Sequence, residues 1–161
     1  MLNENTFAKN ICFSLWDQDI SSLEYVKMNM PKTSRNIDFN FENTKILNML
    51  GLEQSMNGLR MEKQDLIYSL GVVDYFRNNV FERFVSYFYN LLNPGGQLII
   101  ACCGTQYPWN YLLLTWFSDW HFYLRDASVV KTLGSSLNML DVRLHWKKNG
   151  NFFFIIINKS S

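Results

Sequence analysis

Apolar and polar positions along this chain switch between two periods. Ile11 to Leu15 is a short, mostly apolar run of the kind a buried strand makes, and it closes at Trp16-Asp17-Gln18-Asp19. Ile20, Leu23, Val26 and Met30 then fall at helical spacing, with Asp19 placed as N-cap and Pro31 as the stop. Ile37, Phe39 and Phe41 alternate with Asp38, Asn40 and Glu42, which is strand periodicity. Residues 44–51 read as a short helical turn and 53–63 as polar loop. Leu66 to Leu70 is the next strand. Val80, Phe81, Phe84, Val85, Phe88, Leu91 and Leu92 mark one face of a helix, which Asn93-Pro94-Gly95-Gly96 ends. Leu98 to Cys103 reads as a buried strand. Trp109, Leu112, Leu113, Trp116, Phe117 and Trp120 stripe a further helix, and Asp126 caps one that carries Val129, Val130 and Leu133. Val142, Leu144 and Trp146 alternate, Asn149-Gly150 suits a type I′ turn, and Phe152 to Ile157 returns as the second arm of a hairpin. Strand–helix alternation with a terminal hairpin predicts an α/β sheet with an antiparallel element.

Composition narrows the function classes. The 161 residues suffice for one domain, taken as 1–161, because no repeat, linker or low-complexity stretch divides them. A formal charge of +1 gives no electrostatic reason to expect nucleic acid or an anionic membrane as partner. No stretch reaches the roughly 18 uninterrupted apolar residues of a spanning helix, since Asn110, Asp119 and His121 break the longest run. The N-terminal residues lack the basic region of a secretory signal, so a cytoplasmic location is expected. Cys12, Cys102 and Cys103 each lie in an apolar strand-like run and are expected to be buried, reduced thiols. His121 and His145 stand alone and are expected beside packed aromatics, so no metal site is predicted.

The candidate chemistry lies at strand ends. An acid after an early strand of a doubly wound sheet accepts hydrogen bonds from a ribose, a role open to Asp17; the alternative is that Asp17 and Asp19 only cap the following helix. Asn43 carries a donor and an acceptor suited to a purine edge, or is an ordinary turn residue. Ligands of open α/β sheets bind outside the carboxyl ends of strands, which places Ser69, Leu70 and Gly71 at the ligand edge, with Asp74 and Tyr75 in reach. Against this, Asp74 could cap the next helix and Tyr75 could pack. Arg125 could hold a carboxylate in a bidentate pair, or bridge to Asp119 or Asp126. No Gly-x-Ser-x-Gly and no P-loop is present.

Asp65-Leu66-Ile67-Tyr68-Ser69-Leu70-Gly71 followed by Leu91-Leu92-Asn93-Pro94-Gly95-Gly96-Gln97-Leu98-Ile99-Ile100 resembles the middle of a class I S-adenosylmethionine-dependent methyltransferase. Leu15 to Asp19, followed by Leu23-Glu24-Tyr25, is similar to that family's second-strand motif. The stretch from Trp116 to Asp126 resembles a motif of the subgroup of bacterial 3-hydroxypalmitic acid methyl ester synthases. The resemblance covers residues 10–158. It implies a Rossmann-like methyltransferase sheet with a C-terminal antiparallel hairpin and S-adenosylmethionine as cofactor. Asp17 would hold its ribose, Asn43 its adenine end, and Ser69, Leu70 and Gly71 its methionine side. It also implies a small-molecule methyl acceptor, with a fatty-acid carboxylate as the subgroup's choice and Asp74, Tyr123 and Arg125 as candidate catalytic residues. A carboxylate nucleophile needs no general base, because the protein has only to align it with an already activated methyl group and exclude water.

The chain departs from this pattern at its start. The family opens with a strand, a Gly-x-Gly loop and a helix, and no two of the eight glycines here are spaced i, i+2. Only ten residues precede Ile11, whereas a βαβ unit needs roughly 30. The expectation is therefore an N-terminally incomplete methyltransferase fold lacking its first strand and Gly-rich loop, which in family topology lie between the strands at 11–15 and 66–70. Two inner strands would then have unpaired edges. A companion chain could supply the missing half. The alternatives are a catalytically inactive fragment or interaction subunit, with the aromatic stretch 107–124 as its binding face, or a different α/β binding domain.

Overall fold

The structure is a computed structural model that describes residues 11–30, 36–51, 62–105, 112, 115–117, 121–136, 141–147 and 152–161. The chain divides into two compact units, residues 1–59 and 60–161.

In the first unit, β1 (Ile11–Asp17) and β2 (Ile37–Asn43) pair in parallel, Ile11 opposite Ile37 and Asp17 opposite Asn43. They are joined through α1 (Ile20–Asn29). Asp19 is its N-cap as predicted, accepting from the Ser21 N–H at 2.9 Å and from Ser22 Oγ at 3.0 Å. The first hydrogen bond lowers its pKa most. The turn expected after β2 is α2 (Ile46–Met49). Phe13 and Phe39 stack across β1 and β2 at 5.3 Å. Cys12 corrects an expectation: it is exposed, its Sγ accepting from Asn40 Nδ2 at 3.3 Å. The apolar run at 11–15 belongs to a two-stranded sheet, and among the described residues of this unit Leu23 of α1 and Leu50 are the only buried apolar side chains, so an apolar strand here does not bury Cys12.

The second unit holds a four-stranded sheet in the order β3-β4-β6-β5. β3 (Gln64–Ser69) and β4 (Leu92–Cys103) run parallel, while β6 (Phe152–Asn158) is antiparallel to both β4 and β5 (Asp141–Trp146). The 3-10 turn Val73–Tyr75 and α3 (Asn78–Asn90) cross from β3 to β4, and α4 (Ser128–Ser136) precedes β5. Asp126 bonds the Ser128 N–H at 2.7 Å, as its capping role predicts. The turn at Asn149-Gly150 and most of the helix expected from Trp109 to Trp120 lie outside the described residues; Leu112 and residues 115–117 within it are helical.

One face of this sheet is the core. Cross-strand register puts Leu98 with Ile157, Ile100 with Ile155 and Cys102 with Phe153, and all six are fully buried. The stripe Phe81, Phe84, Val85 and Phe88 of α3 is buried too, at the i, i+3, i+4, i+7 spacing of an amphipathic helix. The opposite face is open beside β3, where Leu66 is 53% and Tyr68 57% exposed. Among the described residues, no strand pairs with the outer edge of β3.

The segment Asn93-Pro94-Gly95-Gly96 corrects the predicted boundary. It does not lie before the strand; β4 begins at Leu92 and carries these residues as a bulge, with Gln64 opposite Leu92 but Leu66 already opposite Gln97. Gly95 takes φ +77 inside it. A Cβ on Gly96 would lie 2.9 Å from the Asn93 carbonyl oxygen and 3.1 Å from those of Gln64 and Asp65. The tail after β6 closes the bulge: Gly95 N–H donates to Lys159 O at 3.0 Å, and Lys159 N–H donates to Gly96 O at 2.9 Å. Lys159 Nζ also donates to the carbonyls of Tyr89 and Leu92, at 3.2 and 2.9 Å, where α3 ends.

Candidate functional site

In the first unit, parallel pairing brings the carboxyl ends of β1 and β2 side by side, so Asp17 and Asn43 are register partners. Asn43 Nδ2 donates to the Asp17 carbonyl at 3.2 Å and the Gln18 carbonyl at 3.0 Å, which fixes the turn after β1. The donor half of this amide is thus committed, and its Oδ1 remains as an acceptor. Asp17 is exposed; its Oδ1 accepts from the Asp19 N–H at 2.9 Å. Its second oxygen has no partner among the described residues, which leaves a carboxylate able to take hydroxyl donors.

In the second unit, Ser69 ends β3 with its Oγ buried and without a hydrogen-bond partner. Leu70 is 59% exposed. Gly71 takes φ +73, which side chains disfavour, and nothing lies within 4 Å of where its Cβ would stand. An orphaned hydroxyl next to open, Cβ-free backbone fits a ligand that approaches the main chain closely.

Beyond Gly71 lie two segments, 74–77 and 121–125, bound together. Tyr123 N–H donates to the Asp74 carbonyl at 2.7 Å, Arg125 N–H to the Cys103 carbonyl at 3.0 Å, and Thr105 N–H to the Arg125 carbonyl at 3.1 Å. Beneath them sits a buried pair. Asp74 and Arg125 are 3% and 4% exposed, and Arg125 Nη1 lies 3.8 Å from Asp74 Oδ1. The Cys103 N–H donates to the same carboxylate oxygen at 2.9 Å. Arg125 also donates to the carbonyls of Tyr123 at 3.0 Å and Phe76 at 2.5 Å, and its guanidinium lies 4.2 Å from the centre of the Phe81 ring. Burial raises the Asp74 pKa against these favourable partners and lowers that of Arg125. Burial also pushes the Cys102 and Cys103 thiols up to about 12, so neither is a thiolate near neutral pH.

Of the three candidate catalytic residues, two therefore lie under the surface with their polar groups largely committed. Asp74 does not cap α3, whose N-cap is Arg77, and the ion partner of Arg125 is Asp74. Tyr123 is different: it is 42% exposed, and its hydroxyl accepts from Arg77 Nε at 3.2 Å. Tyr75, 48% exposed, meets Phe122 edge to face at 5.1 Å. His121 and His145 are exposed, and His145 stands opposite the aromatic Phe154 across β5 and β6. Arg77 was not singled out by any sequence motif. Its one signal was its place, six residues beyond Gly71 on the carboxyl side of β3. Among the described residues, no group of three or more His, Cys, Asp or Glu side chains stands close enough to hold a metal, and no helix is long and apolar enough to cross a membrane.

Comparison with solved structures identifies the architecture. Magnesium protoporphyrin IX methyltransferase of Synechocystis PCC 6803, solved with bound S-adenosylhomocysteine, superposes with a TM-score of 0.60 at 10% identity over 91% of this chain and 64% of its own. The fold is the Rossmann-like methyltransferase fold. N-methyltransferase NodS of Bradyrhizobium japonicum WM9, with S-adenosylhomocysteine, matches this fold with a TM-score of 0.60 at 13% identity over 92% of this chain and 66% of its own. Human N-acetylserotonin methyltransferase with S-adenosylmethionine matches with a TM-score of 0.62 at 15% identity over 94% and 41%. The chain thus spans less than two thirds of the length of these methyltransferase structures. No protein-family model and no curated protein sequence matches it.

Proposed function

We propose that this chain is the C-terminal portion of an S-adenosylmethionine-dependent methyltransferase that acts on a small molecule, with an amphipathic carboxylate such as a fatty acid as the acceptor class. The observation that carries this reading is the end of β3: a buried, unpartnered Ser69 hydroxyl beside Gly71, held at positive φ with open space above it, in a methyltransferase fold. Ser69, Leu70 and Gly71 would bind the methionine side of the cofactor through close backbone approach. Asp17 would take the ribose hydroxyls on its free oxygen, and Asn43 would accept from the adenine through Oδ1. The bound cofactor supplies an activated methyl group on a sulfonium. The chain's own task is to orient the acceptor and exclude water, and a carboxylate acceptor needs no base to do so.

A companion chain belongs to this reading. β3 ends the described sheet on its outer side with Leu66 and Tyr68 exposed, and an unpaired, apolar edge calls for a further strand. The same edge supports a second reading, a non-catalytic interaction subunit of this fold. Calorimetric titration with S-adenosylhomocysteine separates them. The chain produced together with a segment carrying a strand, a Gly-x-Gly loop and a helix should bind the ligand. Absence of binding in that reunited protein overturns the enzymatic reading.

A further inference from the structure

We infer that the first unit is an order–disorder element. β1, α1 and β2 open and close together while the sheet of the second unit stays folded, so Asp17 and Asn43 are brought side by side only in the closed state. The inference rests on how each unit is packed and not on the methyl-transfer reading.

The two sheets differ in what holds them. β1 and β2 form a parallel pair with no third strand among the described residues, so each keeps one outer edge outside the ladder. Parallel pairs are the weaker kind, and parallel sheets persist where both faces are covered. Here that cover is thin. None of the seven residues of β1 or the seven of β2 is buried. α1 adds little, because Leu23 is its one buried residue. Ile20, Tyr25 and Met28 of the same helix are exposed, the last to 81%. Fixing a backbone costs conformational entropy at every residue, and burial must offset it. A two-stranded sheet needs a further strand or a well-packed helix to stand alone, and this helix supplies one side chain.

The bonds that do hold the unit couple its parts. Asn43 Nδ2 donates to the Asp17 and Gln18 carbonyls, and the Thr44 N–H donates to the Asp17 carbonyl at 3.0 Å. They tie the end of β1 to the end of β2, so they are made and lost together.

The second unit is the reverse. β4 is paired on both sides, and Leu98, Ile100 and Cys102 meet Phe153, Ile155 and Ile157 in full burial, with the α3 stripe added. Local opening follows few buried contacts and exposed backbone bonds, which describes the first unit and not the second. A molecule that binds the closed first unit and not the open one therefore draws it closed by mass action, with the second sheet unchanged. Its apparent affinity falls by the fraction of chains that are open.

Hydrogen exchange of the full chain, read by mass spectrometry, tests this. Peptides spanning 11–17, 20–29 and 37–43 should exchange at least ~100-fold faster than those spanning 98–103 and 152–158. Urea should accelerate the first set weakly and the second steeply, since a local opening exposes less surface than global unfolding. Leu23→Ala should speed the first set by about tenfold or more and leave the second unchanged, and Ile155→Ala should do the reverse. Convergence of all peptides on one rate with one urea dependence, or equal effects of Leu23→Ala in both sets, would overturn the inference, because the chain would then unfold as a single unit. Exchange of the first set at the rate of an unstructured chain, unmoved by Leu23→Ala, would overturn it too, because the unit would never close.

Discussion

Two arginines hold Tyr123, and their surroundings are opposite. Arg125 grips its carbonyl from below, buried, with Asp74 and the Phe81 ring as company. Arg77 meets its hydroxyl from above, exposed, at a helix terminus that disfavours a cation. The floor is largely paired within the chain, through Asp74 and two carbonyls, although Arg125 Nε is buried without a partner. A charge removed from water must be answered by the protein that buries it, whereas a charge left at the surface is answered by water. Position in the fold thus divides residues of one type between the core and the exposed rim.

The floor should give the largest effects. Asp74→Ala leaves the Arg125 cation buried without its counter-charge and is expected to destabilise by about 3 kcal/mol or more in urea denaturation. The paired replacement Asp74→Leu with Arg125→Met should cost less than Asp74→Ala alone. If the single and double variants are equally unstable, the pair is not the support described here. Next comes the bulge that carries β4 past β3. Gly96→Ala should lose roughly 1–3 kcal/mol, because the new methyl meets three backbone carbonyls that cannot swing away. The rim and the open edge should give the smallest stability changes. Arg77→Gln and Tyr68→Thr are each expected within about 0.5 kcal/mol of the parent. Tyr68→Thr should also reduce self-association in light scattering, as removal of an exposed ring from an unpaired strand edge predicts. A stability loss at Arg77 as large as that at Asp74 would erase the distinction between floor and rim.

Acid sensitivity adds a weaker contrast. Asp141 is half-buried, its pKa held below the usual carboxylate value of 3.8 first by Asn158 Nδ2 at 2.7 Å and then by Arg143. A lowered acid contributes stability above 3.8 that is lost as pH falls through its folded value. Asp141→Asn should therefore flatten the fall in melting temperature below pH 4. Asp74 runs the other way: its raised pKa favours the folded state at acid pH and weakens that preference as pH rises through the folded value.

Local pattern carried most of the fold. The period-two runs at 37–41 and 142–146 and the α3 stripe stood in the sequence because each answers to one face, half-buried in the two strands and fully buried in the helix. Pro-Gly-Gly read as a strand's upstream turn and became a bulge within it, since the decisive partners, Gln64, Leu66 and Lys159, are distant in sequence. Cys12 failed for a related reason. An apolar run says that a strand is apolar, and what covers it is settled by other elements. The candidate site was legible where backbone chemistry left a mark, as at Gly71. It was illegible where a long-range contact decides between burial and exposure, as it does for Arg125 and Arg77.

The sheet order has a consequence for how the molecule is made. β6 follows β5 in the chain, yet it lies between β4 and β5, bonded to both. A ribosome delivers β4 first and must translate through α4, β5 and the residues after it before the strand that completes β4 exists. At ordinary elongation rates that interval is on the order of seconds, long beside the microseconds a helix needs to form. During it Leu98, Ile100 and Cys102 have no partners from Phe153, Ile155 and Ile157. The nascent chain therefore depends on tunnel shelter or a holding chaperone until its last strand emerges, and slower translation should lower the soluble yield.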